Sequence, residues 1–600
     1  VRDPYGRILR ARARIPAEAL ASGPWGHRAQ VIDYDRTRDL LYPPVRYDFT
    51  PGGELIDPFA DASDDALLRD PRFHAQNVFA IAMRTLARFE QALGRRVSWG
   101  FREAHQLKLV PHAFTDANAF YSRSDEALLF GCFPARDGGG TVFTCLSHDI
   151  VAHEVAHALL DGIRTRFMSP SSPDQAAFHE AFADIVAILS VFSLPGVVAA
   201  VLPRVPAGSV DEQWLVDSAL LGLAEQMGGE LDDTRANALR RSASLPPDTR
   251  YLSEPEFIPA HRRGEVLVAA VLRALVVVWG ARLQGIARGT DGALDAGRVA
   301  EEGETIADQL LTMAIRALDY TPPIHIEFGD YLSALLTADA QVRPDDARYR
   351  FREHLRETFA RYGIAPASDR HLPTLAPTQV ALRDELRGHH APAQDGGGGG
   401  ARAAARLSLA ARVARTDAAD AEVVPSEPGL WVPCDHLDLR YDRTHFEPLG
   451  REPDEVYRFL WENRVDLRLY EGAFTRVLSV RPCLRVGPDG FVLRETVAEF
   501  YQVIRLTPDE LRAIAIDVPP TVPRSAVIAL YGGGTLIFDE FGRLRFYVHN
   551  SLDNPARQSA RLAHLWSWGR ITSQTGGEQD FAATHRLRAL DSDRDPREEW

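Results

Sequence analysis

His153-Glu154-Val155-Ala156-His157, with His179-Glu180-Ala181-Phe182-Ala183-Asp184 behind it, is the stretch from which the rest of this chain is read. His153 and His157 stand four apart, so a helix puts them on one face, within reach of a single metal ion. Glu154 is rotated away from that pair and can meet a metal-bound water instead. Glu180, on a second helix, is a fitting third ligand. Asp184, one helical turn further on, is spaced to brace a ligand histidine. Three protein ligands leave one position open, the mark of a catalytic rather than a structural zinc site.

The flanks Val151-Ala152 and Ala158-Leu159-Leu160 are uncharged and predict a buried helix. Ala176 to Leu189 is also helical in pattern, with Glu180 and Asp184 on one face, and neither core pattern holds Pro or Gly. A solvated His/Glu face would not sit embedded in apolar residues.

The chain has 600 residues, of which 45% are hydrophobic, so several domains with sizeable cores are expected. A net charge of −15 argues against a nucleic-acid partner held by phosphate contacts. Cys132, Cys145, Cys434 and Cys483 are too few for a disulfide framework and lack the close pairing of a structural zinc site. The opening Val1-Arg2-Asp3-Pro4-Tyr5-Gly6 shows no secretory pattern, and the expectation is a cytoplasmic protein. No membrane span is expected. The apolar run Ile185 to Leu202 begins directly after Asp184 and holds Pro195-Gly196, which predicts a core helix, a turn and another helix. Val266 to Val278 is a second core-helix segment.

Residues 1–70 read as an irregular segment, wrapping or inhibitory. Residues 71–175 read as an α/β lobe: a helix from Arg72 to about Leu93, then strands over Leu107 to Phe114, Ala119 to Tyr121, Ala127 to Phe130 and Thr141 to Cys145, then the His-Glu helix. Residues 176–387 read as mainly helical. A linker over 388–428 carries His389-His390 and the glycines Gly396 to Gly400, a composition that builds no core. Residues 429–575 read as a β-rich domain and 576–600 as a polar tail. Strand-like runs there include Leu437 to Tyr441, Arg476 to Val480 and Phe491 to Leu493. The clearest element is a hairpin, Thr535 to Phe538 and Leu544 to Val548, turning at Gly542. Gly532-Gly533-Gly534 before it is read as an approach loop rather than a phosphate loop, because no Lys follows in helix context.

Over about Phe73 to Pro366 the chain resembles the thermolysin-like zinc peptidases, a branch of the gluzincins. Asp149 to Ala158 is similar to that family's zinc helix, and Glu180-Ala181-Phe182-Ala183-Asp184 to its third-ligand segment. Asn118-Ala119-Phe120-Tyr121 is similar to its edge strand, which pairs with substrate backbone. His261, in His261-Arg262-Arg263-Gly264, resembles the histidine that stabilises the oxyanion. Arg241, or Arg240 beside it, resembles the arginine that meets a substrate carbonyl. Phe328-Gly329-Asp330-Tyr331 is similar to the closing part of the helical lobe. The resemblance implies an α+β fold of two lobes, a mixed sheet plus zinc helix and then a helical lobe, to which this chain adds a separate β-rich C-terminal domain.

It also implies a zinc metalloendopeptidase acting on peptide or protein substrates, with His153, His157 and Glu180 on Zn²⁺, Glu154 and His261 catalytic, Asp184 behind His153, and Asn118, Ala119 and Arg241 binding substrate. Acidic clusters that hold calcium in secreted members are not evident; calcium and the oligomeric state are left open. Phe167 and Met168 stand nearest to where the family has an oxyanion tyrosine, and His179 stands where it has Asn before the third ligand. The missing tyrosine and the added C-terminal domain motivate an alternative reading: a catalytically weak zinc-bearing scaffold or pseudopeptidase that acts on or binds one dedicated protein partner. His325 is read as structural.

Overall fold

The computed structural model describes residues 10–101, 105–135, 140–169, 171–202, 212–220, 241–286, 294–367, 427–442, 444–487, 490–567 and 569. Arg240, His389-His390, the glycines 396–400, the tail 576–600 and all of the expected linker except residues 427 and 428 lie outside them. The chain is a mixed α+β protein: a mixed sheet with helices, and an antiparallel sheet near the C-terminus.

Helix α1 (Pro71–Leu93) starts where Asp70 accepts a hydrogen bond from the Arg72 N–H and Pro71 takes the first turn. It stops at Gly94, which is left-handed at φ 67° and lies too close to the Leu484 carbonyl to carry a side chain. The mixed sheet is ordered β1 (Ala29–Val31), β2 (Leu107–Thr115), β4 (Ala127–Pro134), β3 (Ala119–Ser122), with β5 (Thr141–Phe143) also on β4. β1 and β4 run parallel to β2, whereas β3 and β5 run antiparallel to β4. The N-terminal segment is therefore not wholly irregular: three of its residues complete the sheet.

Helix α2 (His148–Ile163) lies against α1 and β3. Helix α3 (Pro173–Phe192) is capped by Ser172, whose hydroxyl accepts from the Gln175 N–H, and packs on both α2 and α4 (Ala260–Gln284). α3 and α4 are long and apolar enough to cross a membrane, yet 89% and 78% of their most apolar windows are buried within the protein. As expected, the run after Asp184 is the end of α3, a turn and the short helix Val197–Val201. Helices α5 (Ala296–Ala317), α6 (Phe328–Val342) and α7 (Phe351–Arg361) complete this part. Glu327 and Asp330 form a reciprocal cap at the start of α6.

The C-terminal sheet is a four-stranded meander, β6 (Phe474–Val486), β7 (Val492–Leu506), β8 (Ile528–Asp539) and β9 (Leu544–Asn550). The predicted hairpin is β8–β9, with Gly542 at φ 75° and the Asp539 carboxylate accepting from the N–H groups of Phe541 and Arg543. Two expectations fail here. Leu437 to Tyr441 is not a strand: the Asn463 side chain bonds both the N–H and the carbonyl of Arg440, at 2.6 and 2.8 Å, in place of a neighbouring strand. Gly532-Gly533-Gly534 is not a loop but the middle of β8, opposite Gln502, Tyr501 and Phe500. Side chains there would strike Leu552, the Phe500 carbonyl and the Tyr547 ring.

This sheet is separate from the mixed one and has apolar clusters of its own, and it also packs against the helices. Cys483, Val497, Ile537, Phe546 and Val548 belong to the same apolar core as α1 to α6. The Trp431 indole donates to the Tyr320 carbonyl at 2.9 Å, and the Thr535 hydroxyl to the Thr321 carbonyl at 2.7 Å. The Asn550 amide donates to the carbonyls of Ile324 and His325, at 2.8 and 3.0 Å. His325 is buried, with one ring nitrogen at the Ser171 hydroxyl and the other 3.1 Å from the Tyr531 carbonyl.

Candidate metal centre

Most of α2 is apolar and fully enclosed, from Val151 through Leu160. Into this setting it brings His153 (6% exposed), Glu154 (0%) and His157 (2%). Polar groups enter a core at a cost of a few kcal/mol each unless something there satisfies them. One turn of helix sets the two histidines edge to face, leaving Nε2 of one 2.9 Å from Nε2 of the other. Glu180, from the second turn of α3, places Oε2 at 3.7 Å from His153 Nε2 and 3.9 Å from His157 Nε2. The three residues form one buried group whose donor atoms all lie within 4.8 Å of each other.

The outer nitrogens of both rings are held from behind. His153 Nδ1 lies 2.8 Å from Asp184 Oδ1. His157 Nδ1 lies 2.8 Å from His179 Nδ1, and the two rings stack with centroids 4.8 Å apart. Burial, then the neighbouring His153, pushes the His179 imidazole down to about 3, so it is neutral at ordinary pH. With a carboxylate behind His153 and an imidazole behind His157, both Nε2 atoms lie toward the Glu180 carboxylate. The donor set, two imidazoles and a carboxylate around one point, suits a divalent metal ion.

Glu154 sits beside this group rather than in it. Its Oε2 accepts a hydrogen bond of 2.9 Å from the Tyr121 N–H on β3, and the Tyr121 hydroxyl reaches Asp161 Oδ2 at 3.0 Å. Ala119 opens that same strand and Asn118 immediately precedes it. The Asn118 side chain accepts from the Ala119 N–H at 2.7 Å, and its carbonyl accepts from the Gly131 N–H at 2.8 Å. His261 lies in the first turn of α4, with Nδ1 3.7 Å from Glu180 Oε2 and 36% of its side chain exposed. Arg241 is engaged differently: its guanidinium bonds Glu265 at 2.9 Å, one turn beyond His261 on α4, where Arg262 also pairs. Burial raises the Glu265 carboxyl, and the two arginines oppose that rise.

The chain thus gathers His153, His157, Glu180, Asp184, Glu154 and His261 at one place, with β3 alongside and Arg241 tied to α4. Phe167 and Met168 are buried apolar side chains in the turn after α2. The Tyr121 N–H to Glu154 bond had no signal in the sequence, because it joins a strand to a helix through a backbone group any residue offers. The His179–His157 contact did have one: residue 179 precedes Glu180, and an imidazole there is a hydrogen-bonding group at the right place. No protein-family model and no curated protein matches this chain.

Proposed function

We propose that this protein is a zinc-dependent metalloendopeptidase whose ligands are His153, His157 and Glu180. The observation that carries the reading is the donor triangle, with edges of 2.9, 3.7 and 3.9 Å. Those edges bracket the roughly 3.3–3.4 Å edge of a tetrahedron with zinc bonds of about 2.0–2.1 Å. Three protein donors are also the number that catalytic zinc sites use.

Zinc, when bound, supplies Lewis acidity that lowers the pKa of a water to about 7 and polarises a carbonyl. Glu154, anchored through one oxygen on the Tyr121 N–H, takes a proton from the attacking water and returns it to the leaving amine. His261, half out in solvent at the edge of the ligand group, donates to the oxyanion that develops on the substrate. β3 receives an extended peptide along Asn118 and Ala119, and Arg241, steadied by Glu265, meets a substrate carbonyl. A second reading, a catalytically weak zinc-bearing scaffold that binds one protein partner, draws on the buried Phe167 and Met168, which offer no hydroxyl to an oxyanion.

Glu154→Gln decides between them. The peptidase reading expects hydrolysis of a casein-type substrate to fall by about 10²–10⁴-fold with metal content unchanged. Unaltered hydrolysis in the variant rules the mechanism out. A wild-type protein that holds zinc yet stays silent against a broad peptide library, with and without chelator, favours the scaffold.

A further inference from the structure

A second set of donors meets inside the sheet lobe. His74 on α1, His112 on β2 and Cys145 in the short turn before α2 are all buried, and their donor atoms lie within 4.8 Å of one another. His74 Nδ1 is 2.9 Å from His112 Nε2. The outer nitrogen of each ring is already taken. His112 Nδ1 meets both oxygens of the Asp33 carboxylate at 2.9 Å, and His74 Nε2 meets the Leu68 carbonyl at 3.0 Å. A carboxylate and a carbonyl only accept, so each outer nitrogen carries its hydrogen. In a neutral ring the inner nitrogen then holds a lone pair. Two lone pairs face each other at hydrogen-bond distance with a thiol beside them, an arrangement that calls for a cation at its centre.

We propose that His74, His112 and Cys145 form a second metal site, which takes a zinc-class divalent ion. Imidazole and thiolate are the donors such ions prefer. Acceptors behind both rings fix their tautomers as they do in protein metal sites. The Phe143 ring packs on His74 and His112, and the Tyr42 ring on His112, with centroids 4.6, 5.3 and 4.8 Å away, so the site is closed off by aromatic surface. Binding forms a sulfur–metal bond and releases the Cys145 thiol proton to solvent, with no change of oxidation state. The ion would join four pieces of chain: the N-terminal segment through Asp33, α1, β2, and the turn whose next helix carries His153. The competing arrangement is a single proton shared between the rings, with no metal.

The two are separated by producing the full chain in cobalt-supplemented medium. The metal site predicts a sulfur-to-cobalt charge-transfer band in the near ultraviolet, which the His153, His157 and Glu180 group cannot give because it has no sulfur. The band should survive in His157→Ala and vanish in Cys145→Ser. Zinc-grown wild type should hold two metal ions per chain, and His112→Asn one. Should the variants fail to fold, the wild-type spectrum still decides. A folded cobalt protein without that band, or a wild type holding no more metal than His112→Asn, overturns the proposal. Failure of the peptidase reading would leave the band untouched.

Discussion

Helix α2 carries a buried cluster of ionisable groups at its middle and another at its end, and the two follow opposite rules. At the middle, His153 and His157 bring their Nε2 atoms, and Glu180 a carboxylate oxygen, toward one point. At the end, Arg164 enters a cluster that cancels its own charge. Asp319 bonds Arg95 at 2.5 and 2.6 Å and Arg485 at 2.5 Å; Arg485 also pairs with Glu495, which accepts from the Tyr320 hydroxyl at 2.9 Å; Arg164 pairs with Glu499. Burial pushes the Asp319 carboxyl up, but Arg95 and Arg485 outweigh it and hold it below the ordinary carboxylate range. Three arginines balance three carboxylates where the C-terminal sheet meets the ends of the helices. The group of His153, His157 and Glu180 is instead one that could hold a metal ion.

The contrast can be broken at either cluster. The largest effect is expected from Asp319→Ala, which strands Arg95 inside the core and leaves Arg485 with Glu495 alone. The urea unfolding midpoint should drop by the equivalent of about 3–5 kcal/mol, while metal content per folded molecule stays at the wild-type level. Asp184→Asn should do the reverse: affinity for zinc, measured by competition with a chromogenic chelator, should weaken by about 10–100-fold, with little change in the unfolding midpoint of the metal-stripped protein. If Asp319→Ala loses metal while folded, or Asp184→Asn unfolds the stripped chain, the two clusters are not distinct in kind.

A smaller effect sharpens the comparison at the start of the same helix. His148 is 3.2 Å from the Ser190 hydroxyl, and burial, aided by Arg84, pushes its imidazole down to about 3. The unfolded chain binds a proton near pH 6.5 that the folded chain refuses until about 3, so stability is lost as the pH falls through that window. Between about pH 7 and pH 5.5 this contributes roughly 1 kcal/mol. His148→Gln should flatten the pH dependence of the urea midpoint by that amount.

The helices that carry the candidate metal group were legible from their spacing: His153 and His157 are one turn apart, and so are Glu180 and Asp184. Periodicity also outlined α1, the strands from Leu107 to Phe143 and the hairpin at Gly542. What escaped depends on partners far away in sequence. Ala29–Val31 is too short to show a period and becomes a strand only beside Leu107–Leu109. Leu437 to Tyr441 alternates like a strand, but one asparagine side chain occupies its backbone groups. Gly532 to Gly534 looks like a loop, yet the absent side chains make room for Leu552, Phe500 and Tyr547. The cluster of His74, His112 and Cys145 has no local spacing at all.

The carbonyls of Thr321, Ile324 and His325 find their donors in Thr535 and Asn550, 214 to 226 residues later in the chain. During synthesis those oxygens leave the ribosome well before the strands that will cover them. At roughly 5–20 residues per second that wait is some tens of seconds or less, during which water must occupy the place of the last two strands. The half that bears the two histidines of α2 therefore reaches its final form only once the closing hairpin has been translated.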